Sequence, residues 1–191
     1  MNLNERISAL TDRDTILEFC NFITSQTQMN GMLDYKKMDL MQIYQLLHQV
    51  VVIDYRDGID NGILINYSGT AIDENFGHVL QGNYLEDAYT GIKTKDKLIE
   101  FCHAMYQNFT PFYVSSCVHH EQPSRDITYK HTCGLFFPCS SDGLTANYGI
   151  GIVDYSFVEK STPPQYEQLS IYYIDHDKRP PHGSLLMERM C

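Results

Sequence analysis

The chain has 191 residues, 43% of them hydrophobic and 20% charged, with a formal net charge of −10 at pH 7. That is long enough for one domain with a substantial core plus additions, and too apolar for a disordered chain. The acidic balance and the lack of a Lys/Arg cluster argue against nucleic acid or an anionic membrane surface as the primary partner.

The opening residues, Met1 to Arg6, show no basic stretch leading into an apolar run, so no signal peptide is expected. No apolar run approaches the ~18 residues of a membrane span. Cys20, Cys102, Cys117, Cys133, Cys139 and Cys191 form no C-x-x-C pair, which reads as reduced, mostly buried thiols and a cytoplasmic setting.

In chain order, Thr11-Asp12-Arg13-Asp14 reads as a capping box, followed by Ile16, Cys20 and Ile23 at helical spacing and a stop at Gly31. Asp39 reads as a second N-cap, with Leu40, Ile43, Tyr44, Leu47 and Val50 on one stripe. The β-branched run Val50-Val51-Val52-Ile53-Asp54 predicts the first strand, and Asp57-Gly58 and Asn61-Gly62 turn the chain into a second over Ile63 to Ser68. Thr70 with Asp73 then predicts the start of a one-turn helix that Gly77 ends, and Gly82 punctuates the next short apolar piece. Thr94 is expected to cap a longer helix with Leu98, Cys102, Met105 and Phe109 on its apolar face, ended by Pro111. Lys93, Lys95 and Lys97 at its start read as a solvated face. Strands are predicted over Phe112 to His120, Ile127 to Phe137 and, after the Ser140-Ser141-Asp142-Gly143 turn, Tyr148 to Tyr155. Ser161-Thr162-Pro163-Pro164 reads as a linker, Gln168 to Ile174 as a further strand, and Ser184 to Cys191 as a terminal piece that docks on the domain or on a second chain, or frays.

The corner Gly69-Thr70, then Gly77, then Leu80-Gln81-Gly82 lets a chain leave a sheet edge and wrap back over the sheet face. Here the chain resembles the PAS-like sensor family of bacteria over roughly residues 39–158, with a helical extension over 1–38 and a tail over 159–191. The resemblance implies an α+β fold, a five-stranded antiparallel sheet with helices on one face, plus the N-terminal helices. It implies a stand-alone sensory or interaction module in signal transduction, binding a small ligand or a partner protein, expected as a homodimer and not as an enzyme. Two other classes fit the residues: a ligand-free dimerisation scaffold, and a small α+β-pocket enzyme doing proton-transfer chemistry.

By position, the pocket of such a module is expected from Phe76, Leu80, Leu85, Tyr89, Cys102, Met105, Phe109, Cys117, Phe136 and Ile152, residues that equally suit a filled core. The family's haem sensors place an iron ligand on the long helix, where this chain has His103, but its neighbour Cys102 holds the apolar face. The family's flavin photosensors need a cysteine after the wrap, and Gly82-Asn83-Tyr84-Leu85-Glu86-Asp87 has none. The cofactor therefore stays unknown. For metals, His131 and Cys133 share a face, and either His119 or His120 (next to Glu121) approaches them in a hairpin. Three ligands without a fourth favour cross-strand packing, and no metal is assigned. Gly149-Ile150-Gly151 falls inside a strand and reads as a close approach of another backbone, and Asp73-Glu74 as helix-dipole partners.

Overall fold

The computed structural model describes residues 2–88, 95–120, 128–159, 168–174 and 184–187. The fold is α+β with an open, mixed sheet. Five strands run in the order β4 (Leu64–Ser68), β3 (Val50–Asp54), β7 (Tyr148–Glu159), β6 (Thr128–Ser140), β5 (Phe112–His120), each antiparallel to its neighbours. Beyond β5 the same sheet continues through β8 (Gln168–Tyr173) and β9 (Ser184–Met187), also antiparallel. The parallel element is β2 (Met32–Asp34), which takes up β6 at Cys139 and Ser140, beyond the last β5 pairing at Phe136. That pairing makes the sheet mixed where a purely antiparallel one was expected.

β2 exists because Asn30 and Gly31 both adopt positive φ, 51° and 80°, and turn β1 (Gln28–Met29) back on it. Asn-Gly is the pair such a two-residue hairpin turn demands, since both central residues must be left-handed. Gly31 is thus a hairpin residue, and the helix read as ending there, α2 (Asp14–Ser25), stops six residues earlier. Arg13 is the N-cap of α2 and makes no side-chain cap; Thr11 Oγ1 accepts from the Arg13 backbone N–H at 3.2 Å. The capping box lies earlier, where Asn2 and Glu5 cap each other's backbones at the start of α1 (Leu3–Ser8).

Asp39 does cap the next element, accepting from Met41 N at 3.1 Å, but the stretch Leu40–Gln49 is a 3-10 helix kinked at Ile43. A three-residue period selects Ile43 and Leu46 for burial and turns Tyr44 outward, 61% exposed, where a 3.6-residue period would have drawn it in. β4 carries a bulge at Asn66: Val52 pairs Tyr67 and Ile53 pairs Ile65. The extra residue switches the side-chain alternation, so Ile65 and Tyr67 pack on opposite faces.

Both faces of the sheet are covered, where helices on one face were expected of the PAS-like part. On one side α1, α2 and the 3-10 helix bury Ile7, Ile16, Phe19 and Phe22 against Val52, Leu135, Phe137, Ile150 and Ile152. On the other, α3 (Thr70–Phe76), α4 (Leu85–Ala88) and α5 (Lys95–Asn108) bury Ile72, Leu85, Phe101 and Met105 against Ile53, Ile65, Phe112 and Phe136. The N-terminal extension is therefore one of the two layers over the sheet.

Between α3 and α4 the chain forms a strap along the outer edge of β4. Ile65 N–H donates to Asn83 O and Gly82 N–H to Ile65 O, at 2.9 and 2.8 Å, and Leu85 N–H donates to Ile63 O at 2.8 Å. The Glu86 carboxylate accepts from Ile63 N–H. Gly77 closes α3 at φ 76°, and Gly82 bends the strap at φ 85°. The N-cap is Gly69 where Thr70 was expected, and Asp73 accepts from Leu80 N–H at 3.0 Å, which ties the strap to the helix. At the far end of β3 the exposed Arg56 forks onto the buried Asp54 and lies 5.2 Å over the Tyr148 ring, itself stacked on Tyr35. Burial alone would raise the Asp54 pKa; the hydrogen bonds and charge of Arg56 outweigh it and hold it below the ordinary value.

Candidate functional site

The layer of α3, α4 and α5 does not close completely on the sheet. A cavity of about 40 Å³ remains, floored by Val51 and Ile53 of β3, Ile65 of β4, Phe136 of β6, and Val153 and Tyr155 of β7. Ile72 and Phe76 of α3, Leu80 of the strap, Leu85 of α4, and Leu98 and Cys102 of α5 roof it. Among the described residues no charged side chain lines it; the Cys102 thiol and Tyr155 are its polar members.

Glycines shape the floor. Phe136 pairs in register with Gly151 and stacks on Phe112, ring centroids 4.8 Å apart. Its ring lies down across the sheet, where a Cβ on Gly134 would stand 2.7 Å from it and one on Gly151 would collide with it. A Cβ on Gly149 would stand 2.6 Å from the Met105 methyl. The close approach that Gly149 and Gly151 permit is thus of side chains, not of another backbone.

Of the ten residues expected to line a pocket, Phe76, Leu80, Leu85, Cys102 and Phe136 meet around the cavity. Met105 is buried in the same layer. Ile152 is on the opposite face, under the N-terminal helices, because β7 turns Gly149, Gly151, Val153 and Tyr155 toward the cavity side and Ile150 and Ile152 away. Phe109 follows the last turn of α5 at φ 54°, which ends the helix before Pro111 and leaves the ring 37% exposed. Tyr89 falls outside the described residues. Of Cys117 the backbone is described, and it pairs with His131. Lining residues not anticipated are Val51, Ile53, Ile65, Ile72, Leu98, Val153 and Tyr155. The alternation of β3 and β7 held part of that signal.

Burial sets the thiol chemistry. It pushes the Cys102 thiol up to about 12, the nearby Tyr55 hydroxyl tempering this, and Cys20 up to about 12; Cys139 is also raised. The Tyr55 hydroxyl is fully buried near Cys102 and reaches no partner in hydrogen-bond geometry among the described residues. At pH 8 these three thiols stay protonated, and iodoacetamide is expected to leave peptides containing Cys20, Cys102 and Cys139 unmodified until denaturant is added. Peptide mapping by mass spectrometry checks this, and rapid labelling of Cys102 in the native protein would mean the cavity opens to water.

Of the other cluster singled out in the sequence, the His131 and Cys133 pair meets, on the opposite face. His131 and Cys133 share it, 3.7 Å apart at Nε2 and Sγ, with Ser115 of β5 as their neighbour. Backbone alone is described for His119 and His120, and Glu121 lies outside. Among the described residues no three His, Cys, Asp or Glu side chains converge as a metal would need. His103 is half-buried and does not line the cavity.

No protein-family model matches the chain, and no curated protein matches it.

Proposed function

We propose that this chain is a stand-alone PAS-like sensory or interaction module whose ligand site is the apolar cavity under α3, α4 and α5. The observation that carries this reading is the cavity itself, bounded by the strap and the sheet floor. Its support in the fold is the order β4-β3-β7-β6-β5 with α3 to α5 inserted between the second and third of these strands in sequence. Among the described residues the lining offers no carboxylate, the buried acid that would favour a proton-transfer enzyme. The homodimer belongs to the same reading, as does transmission by population shift: a ligand biases the packing of the strap, and the layer on the far face reports it.

Size narrows the ligand. Pockets for drug-sized ligands run to roughly 300–1,000 Å³, so about 40 Å³ admits neither haem nor flavin in this packing. The ligand is a small uncharged molecule, or it enters by displacing the strap. The same small volume favours a second reading, the ligand-free dimerisation scaffold. Xenon, which apolar cavities bind, separates the two when titrated while methyl resonances are followed. Saturable shifts at Ile65, Ile72, Leu80, Leu85 and Val153, lost in a Val153→Phe variant that fills the space, are expected of the sensor. Shifts no larger than those of Ile7 and Ile16 on the opposite face would leave the scaffold.

A further inference from the structure

Arg13 reaches from the start of α2 to the sheet and binds three side chains there. Its Nη2 donates to Ser156 Oγ at 2.6 Å and lies 3.0 Å from His131 Nδ1, and its Nη1 is 3.5 Å from Asp154 Oδ2. Gln49, the last residue of the 3-10 helix, donates to the other Asp154 oxygen at 3.1 Å. Ser115 Oγ is 3.1 Å from His131 Nε2. The Arg13 and Asp154 side chains keep 26% and 13% of their exposure, so the group is shielded but not sealed.

A guanidinium has donors only. His131 Nδ1 must therefore accept from Arg13, and the imidazole is neutral with its proton on Nε2, donating to Ser115 Oγ. This fixes the tautomer from the partner. It also means that His131 cannot take a proton from Ser115, so the pair is no nucleophile and base.

We infer that Arg13 and His131 form an acid-labile clamp that pins the start of α2, and with it the edge of the N-terminal layer, to the sheet. Protonation puts a second N–H on Nδ1, facing the guanidinium, and turns a charge-assisted hydrogen bond into a like-charge contact. Among the described residues the titratable and charged groups at His131 and its contacts include Arg13 from α2 and Cys133 on β6, with Asp154 of β7 held through Arg13 and Tyr113 of β5 beside Cys133. Asp154 is already shared between Arg13 and Gln49, so one carboxylate faces two cations at low pH. α2 makes no side-chain cap of its own at Arg13, so the clamp adds to the burial of Ile16 in fastening its first turn. Six buried residues of α1 and α2, Ile16 among them, hold the layer to the sheet without titrating. Acid therefore loosens the first turn and leaves the layer in place.

Two measurements on the full chain test this. Imidazole nitrogen shifts at pH 8 should show the Nε2–H tautomer. Protection of the Leu17 amide, which donates to Arg13 O at 3.0 Å, should fall severalfold, up to about tenfold, between pH 8 and pH 5.5 after correction for intrinsic exchange, the ceiling for one imidazole protonating over that interval. Amides of β3 should hold their protection. In His131→Asn the amide oxygen takes the acceptor place of Nδ1 without titrating, and the fall at Leu17 should vanish. An Nδ1–H tautomer at pH 8, unchanged protection at Leu17 in the wild type, or the same fall in the Asn variant would each overturn the clamp.

Discussion

Phe136→Ala is expected to destabilise the protein by about 3–5 kcal/mol, the range for truncating a buried phenylalanine, with a fall in Tm on the order of 10 °C. The ring contacts Phe112 on one side and covers Gly134 and Gly151 below. None of these can swing into the space: the glycines have no side chain, and Phe112 is fixed in β5 between Phe101 and the sheet. The void therefore persists and joins the existing cavity. An enlarged apolar cavity of this kind takes benzene, so saturating benzene should raise the Tm of the variant and leave the wild type unchanged. Thermal unfolding with and without benzene checks both halves. A loss below about 1 kcal/mol would mean the layer of α3 to α5 collapses onto the floor, and with it the claim that this layer is held off the sheet.

The second large effect lies at Gly69→Ala. Gly69 has an ordinary extended backbone, φ −71° and ψ 153°, so conformational preference costs an alanine nothing there. Its Cβ would run into the backbone carbonyl groups of Leu47 and His48, against which the corner is pressed. Backbone cannot rotate aside, and Gly69 N–H is tied to Val50 O at 2.9 Å, so the whole junction between the 3-10 helix, β3 and α3 must separate. A cost of about 3 kcal/mol or more is expected, the upper end for inserting one methyl. Gly31→Ala is the comparison: open space surrounds it but φ is 80°, and the left-handed backbone alone should cost about 1–2 kcal/mol. Urea denaturation of both variants checks the order, and an equal or smaller loss at Gly69 would mean that the corner yields.

Where the chain offers a continuous β-branched run or an uninterrupted alternation, the strands are legible. The Val50 to Asp54 run became β3 to the residue, and Phe112 to His120 became β5. β7 shows the limit. Glycines at 149 and 151 carry no hydropathy signal for the face they occupy, so Ile152 was placed with Phe136 when the residue paired with Phe136 is Gly151. The bulge at Asn66 defeats alternation in the same way, since one extra residue reverses it. The β1–β2 hairpin was legible in Asn30-Gly31 and was read as a helix stop because an apolar helical stripe precedes it. The Arg13 clamp was not legible at all. Its members are 118 and 143 residues apart, and only the register of β5, β6 and β7 brings their partners into one patch.

The strap along β4 has a consequence for the protein outside its own fold. An outer strand with free amide and carbonyl groups is a template on which a foreign strand can polymerise. Here the template is spent on the chain's own residues 82–85, and the Glu86 carboxylate occupies the next free amide. Any ligand large enough to lift the strap would uncover that template while it is bound. Under the proposed ligand site, solubility and ligand entry are thereby set against each other at the same few hydrogen bonds; in any case, a variant that frees the strap should aggregate sooner.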